Sequence, residues 1–189
     1  MDYYPPRIYE LSLHTVGLIV GLFLLAIHLF ALLRPKETQA WLAKLPRSKS
    51  FGIFVLALDA VWCFWLATNM DLGEFSGFRR LLQICIPVLA ILTVLFVDEF
   101  LSARALGILA LLVAEPILSA AFLRPEIARL LLVTLAYVWL TVGMFWIGKP
   151  YLLRDQISWL TRSATRWRIA AIAGVAYGAV VLFCTLTVF

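Results

Sequence analysis

The chain has 189 residues, a formal net charge of +5, 63% hydrophobic residues and only 14% charged ones, with a mean hydropathy of +0.97. A water-soluble globular domain is excluded, because its surface would need more charge. A nucleic-acid-binding domain is excluded too, since no soluble surface remains to carry a basic stripe.

A hydrocarbon core about 30 Å thick takes roughly 20 helical residues at about 1.5 Å rise each. Six stretches meet that length: 11–33, 51–70, 81–100, 105–123, 127–148 and 169–188. The expected fold is therefore all-α, a polytopic transmembrane bundle of six spans forming one integral membrane domain over 1–189. The opening residues Met1-Asp2-Tyr3-Tyr4-Pro5-Pro6 have neither a basic n-region nor a small-residue cleavage site, so no removable signal peptide is expected.

The first span holds both histidines of the chain, His14 and His28. At 100° per residue, their spacing places them within about 40° of one face and about 21 Å apart along the axis. Gly17 and Gly21 fall on the same stripe, a face on which another helix or a flat ligand approaches the backbone closely. The His-x2-Gly-x3-Gly-x6-His pattern resembles the helices of transmembrane di-haem b cytochromes, which carry two histidines about four turns apart. That resemblance covers one helix and implies haem b, with His14 and His28 as axial ligands. Four histidines are needed for bis-histidine ligation of two haems, so a second copy, a partner subunit, or Met70 and Met144 would complete the set. The simpler reading is a packing face.

The first connector, 34–50, is basic, and Trp41, Leu42 and Leu45 flanked by Lys36 and Lys44 suggest a short interfacial stretch. The second span carries Asp59 at its middle, with Trp62 and Trp65 read as core or belt aromatics. The third contains Pro87 and ends at Asp98 and Glu99, read as surface charge balance. A short connector at 102–104 separates it from the fourth span, which carries Glu115 at its middle and Pro116 next to it.

A carboxylate at mid-membrane depth costs about 2.5–3.5 kcal/mol on insertion scales, so it is neutral, paired or facing a cavity. No Lys or Arg lies at matching depth in any span. Asp59 and Glu115 are therefore expected to share a proton, or to be held by Thr134, Tyr137, Thr141, Tyr177 or Gln83. Together with Tyr137 they are the candidates for a proton or cation pathway.

Between the fifth and sixth spans, Leu153, Ile157, Leu160, Ala164 and Trp167 recur at helical intervals. An amphipathic interfacial helix is expected here, with Arg154, Trp159, Arg162, Arg166 and Trp167 at the lipid headgroups. The sixth span carries Ala170-x3-Gly174-x3-Gly178, so Gly174 and Gly178 form a second small-residue face, suited to packing or self-association. Cys63, Cys85 and Cys184 lie far apart inside spans, without a CxxC pattern, and read as small core residues.

Connectors one, three and five hold eleven of the sixteen Lys and Arg residues. By the positive-inside rule these connectors are cytoplasmic and both termini are not, and the composition suits a bacterial cytoplasmic (inner) membrane. No GxSxG, HExxH or catalytic dyad occurs, so an enzyme is disfavoured. The first expectation is a non-catalytic subunit or assembly and stability factor of a larger membrane complex. The alternatives are a small proton- or cation-coupled transporter and a b-type haem electron carrier.

Overall fold

Apolar side chains cannot satisfy a backbone in lipid, so each crossing segment must close its own hydrogen bonds as a helix. The computed structural model describes residues 8–97 and 100–189, and helices account for nearly all of them. The elements are α1 (Leu13–Leu33), α2 (Pro35–Lys44), α3 (Lys49–Asn69), α4 (Arg79–Phe96), α5 (Leu101–Ala121), α6 (Arg129–Gly148), α7 (Tyr151–Thr161) and α8 (Ala164–Thr187). Six of them, all but α2 and α7, are long and apolar enough to cross a membrane. The short helices α2 and α7 lie together at one end of the bundle, and Tyr9 lies at the other.

Local chemistry sets the boundaries. Ser12, Ser48 and Ser163 cap α1, α3 and α8, each accepting from a backbone N–H three residues on. Pro35 occupies the first turn of α2, where its missing N–H costs nothing. Two boundaries differ from expectation. The break between the third and fourth crossing helices falls before Leu101, with Phe100 in the left-handed region at φ 56°. Ser102–Arg104, expected as a connector, thus form the first turn of α5. There Ser102 is buried and its hydroxyl donates to the Leu45 carbonyl at 2.7 Å. Ala164 and Trp167, expected on the interfacial helix, open α8 instead, because Ser163 caps a new helix after α7 ends. Asp98 and Glu99 lie outside the described residues.

α5 is the centre of the bundle, packing on α3, α6 and α1. Its buried positions are mostly small: Ser102, Ala103, Ala105, Gly107, Ala114, Ala120 and Ala121. Small side chains let neighbouring backbones close in, which is how helices associate in lipid. A Cβ on Gly107 would meet the Gly143 carbonyl oxygen at 2.7 Å, and one on Gly143 would meet that of Gly107 at 2.8 Å. A Cβ on Gly52 of α3 would meet the Ser102 amide nitrogen at 2.7 Å.

α1 and α8 form a second, antiparallel pair. Gly17 lies on Thr185, Gly21 on Leu182, Gly178 on Leu24 and Leu25, and Gly174 under the His28 ring. The two small-residue faces of the sequence therefore meet each other within one chain. Leu13, Val16, Val20 and Leu24 of α1 join Ala114 and Ile117 of α5, Leu132 and Ala136 of α6 and Val181 of α8 in the main core. The Tyr177 hydroxyl ties α8 to α6 by donating to the Leu131 carbonyl at 2.7 Å.

Two hairpins are closed by the same device. Arg79, the first residue of α4, donates to the Thr68 and Met70 carbonyls at the end of α3, at 2.9 and 2.7 Å. Arg129, the first residue of α6, donates to the Ala121 carbonyl at the end of α5, at 2.9 Å. Both place a cation on orphan carbonyls at the negative end of a helix.

Because the Gly107–Gly143 approach is backbone on backbone, neither partner can move aside. Gly107→Ala or Gly143→Ala is expected to destabilise the protein by about 1–3 kcal/mol. Gly148→Ala, where a Cβ meets nothing, should be close to neutral. Thermal melts of the three variants in mild detergent measure the difference.

Candidate functional site

Gly52, Val55, Leu56 and Asp59 recur at three- and four-residue intervals and are the buried face of the first half of α3. That stripe packs on Leu101 and Ala105 of α5. It carries Asp59 into the α3–α5 seam, ten residues from either end of α3 and so about 15 Å from both. Asp59 is 1% exposed, and neither carboxyl oxygen has a hydrogen-bond partner. A buried polar group left unpaired costs about 1–3 kcal/mol, so its persistence in the centre of a crossing helix makes it the leading functional residue.

The partners expected for it are engaged elsewhere or face outward. Tyr177 binds the Leu131 carbonyl. Thr141 donates to its own helix at Tyr137, and Gln83 donates to the Thr68 hydroxyl at 3.3 Å. Thr134 and Tyr137 are on the outer surface of the bundle, Tyr137 being 59% exposed. Glu115 is exposed as well, and it lies six residues from the end of α5, not at its middle. α5 begins four residues earlier than the expected span, which shifts its midpoint away from Glu115. The expected proton shared between the two acids is therefore not built.

Glu115 instead belongs to a cluster at the Tyr9 end. The Tyr9 phenol oxygen accepts a hydrogen bond from the Trp62 indole N–H at 2.5 Å. The Tyr9 ring packs against Trp62 edge-on at 6.5 Å and against Trp65 at 5.4 Å. Burial pushes the Tyr9 phenol above its usual value, and the nearby Glu115 carboxylate and Cys63 thiol act in the same direction against the Trp62 hydrogen bond. Cys63 stands one helical turn beyond Asp59 on α3. A line of ionisable groups thus runs from the buried carboxyl through Cys63 to Tyr9 and Glu115. The sequence signal for it was Trp62 and Trp65, one and two turns from Asp59, with no pattern to bring Tyr9 to them.

The two histidines sit in different surroundings. His14 is exposed near the start of α1. His28 bonds the Leu24 carbonyl through Nδ1 at 2.8 Å, and its ring, Nε2 included, fills the space a Cβ on Gly174 would take. The ring also borders an apolar groove of about 450 Å³ with Phe23, Ile27 and Trp41.

At the opposite end, the residues expected among lipid headgroups divide. Trp167 is buried and donates to the Ala31 carbonyl at 2.9 Å, pinning α8 to α1, so it is a core residue. Arg154 pairs with Asp155 at 2.8 Å and lies over the Phe100 ring. Arg166 stacks 4.7 Å over the Trp159 ring. Trp159 is 58% exposed, and Arg162 is exposed with its side chain free of hydrogen bonds to the described residues. No family model, curated protein or solved structure matches this chain.

The Tyr9 phenol holds its proton more tightly in the fold than in the unfolded chain. Its contribution to stability is therefore complete below about pH 10 and is lost as pH rises through the raised value. Thermal melts between pH 9 and 11.5 should show wild type losing stability more steeply than Tyr9→Phe; parallel slopes would remove Tyr9 from the cluster.

Proposed function

We propose that this chain is a non-catalytic integral membrane protein, a subunit or an assembly and stability factor of a larger complex in the bacterial cytoplasmic membrane. The observation that carries this reading is α4. It is a whole crossing helix with no buried residue, and it packs mainly on α3. Ile84, Val88, Ile91 and Leu95 line one outward face at three- and four-residue spacing. A crossing helix that contributes no core to its own chain is best explained by packing against another membrane subunit.

The α2–α7 end is placed on the cytoplasmic side, because most of the Lys and Arg residues gather there. Arg79 and Arg129, two of the four described basic residues nearer the other end, are bound to helix-end carbonyls. They are accounted for by local chemistry, which supports the asymmetry as a topological signal. On this reading both termini are non-cytoplasmic.

Asp59 supports a second reading, a small proton- or cation-coupled carrier. A buried, unpartnered carboxyl midway along a crossing helix is what such a carrier needs. Against it stands the rest of the seam, which is apolar from Val55 and Leu56 to Leu101 and Ala105 and offers no polar lining toward the α2–α7 end.

Extraction from native membranes in mild detergent separates the two. The subunit reading expects a stoichiometric partner to co-purify, and Ile84→Trp with Ile91→Trp to release it while the isolated chain melts unchanged. A lone, monodisperse monomer overturns that reading. The carrier reading expects Asp59→Asn to abolish pH-linked flux in proteoliposomes; unchanged flux, or none in wild type, overturns it.

A further inference from the structure

Where the end of α1, α2 and the start of α8 converge, a groove of about 350 Å³ opens on the bundle surface. Its floor is apolar, with Leu32 and Ile172 on either side and Trp167 beneath, held by its bond to the Ala31 carbonyl. Lys36, Gln39 and Arg168 line the same groove. Lys36 and Arg168 are exposed, and neither makes a hydrogen bond or ion pair with a described residue. The acid beside them in sequence, Glu37, is held by Arg34 at 2.7 Å. Among the described residues, no acidic side chain lines the groove.

Two other basic residues at that end are already engaged. Arg154 and Arg166 are occupied by Asp155 and Trp159. Lys36 and Arg168 sit on two different helices and face one space, with an amide donor between them and apolar walls below. Ile172, 57% exposed, continues that wall along the outer surface of α8 toward the middle of that crossing helix.

We propose that this groove binds the headgroup of an anionic phospholipid. Lys36 and Arg168 hold the phosphodiester, Gln39 donates to an ester oxygen, and an acyl chain leaves along Leu32 and Ile172. Two cations without an acid match a net negative headgroup; a zwitterionic one would bring its own cation into an already positive groove. The apolar exit favours a lipid over a free phosphate. The site depends neither on the subunit reading nor on which side of the membrane α2 faces.

Lipid titration of the purified chain in mild detergent, read by native mass spectrometry, tests it with phosphatidylglycerol and phosphatidylcholine as probes. Phosphatidylglycerol is expected to bind in preference. Lys36→Ala with Arg168→Ala should weaken it about thirtyfold, from two surface charges together. Lys44→Ala with Arg162→Ala, which removes equal charge outside the groove, should weaken it less than about threefold. All four residues are exposed, so melting temperatures should stay at the wild-type value. Equal binding of both lipids, equal losses in the two double variants, or displacement of lipid by millimolar inorganic phosphate each overturns the proposal.

Discussion

Two apolar helices gain little by leaving lipid for each other, so close backbone approach and a few polar contacts must hold them together. The whole arrangement follows from where small residues lie. α5 is central because seven of its nine buried positions are alanines, a serine and a glycine. α8 finds α1 because Gly174 and Gly178 oppose the face holding Gly17 and Gly21. α4 has bulky residues on nearly every side, buries none of them, and remains at the edge. Position in this bundle is a consequence of side-chain size more than of hydrophobicity, which all six crossing helices share.

Polar groups then fix what packing leaves free. The Trp167 and Tyr177 side chains each donate to a carbonyl of a different helix, one from the first turn of α8 and one from near its middle. A hydrogen bond of this kind is worth about 0.6–2 kcal/mol between helices in a membrane. Arg79 and Arg129 work at helix ends, where carbonyls have no intrahelical donor. The α2–α7 end is built differently. Leu45, Leu153 and Ile157 pack around Ala103 at the foot of α5, and the Trp146 indole donates to Gln156 at 2.9 Å to join α6 to α7. One end is thus closed by arginine caps and the other by an apolar base with two short helices over it.

Much of this was legible in the sequence, because length and apolarity alone identify crossing helices. The six stretches match six helices within a few residues at most ends. The two displaced boundaries had causes that periodicity does not register. Phe100 adopts a left-handed conformation that its residue type does not advertise, and Ser163 caps a helix inside what reads as one amphipathic run. The Gly17/Gly21 and Gly174/Gly178 faces were legible as packing surfaces, but not that each was the other's partner. Gly107 and Gly143 were invisible, being single glycines on separate helices with no repeat to mark them. Trp167 was misplaced for the same reason as Ala164: its helix was assigned before its cap was known.

The two carboxyls show how a small shift in register changes a functional argument. Read from the sequence, Asp59 and Glu115 occupy equal depths and invite a shared role. Ten residues of helix lie on each side of Asp59, whereas only six separate Glu115 from the end of α5. At about 1.5 Å per residue, Glu115 is about 9 Å from that end, near enough for a flexible acid to reach the polar boundary. It also faces outward, beside Tyr9. Asp59 has neither outlet. Val55, Leu56, Leu101 and Ala105 close the seam on its α2–α7 side. Cys63 and the Tyr9–Trp62 hydrogen bond lie on its other side, toward the end where Glu115 sits. Asp59 is thus the fully buried acidic residue among those described, and register along the helix, more than residue type, separates it from Glu115.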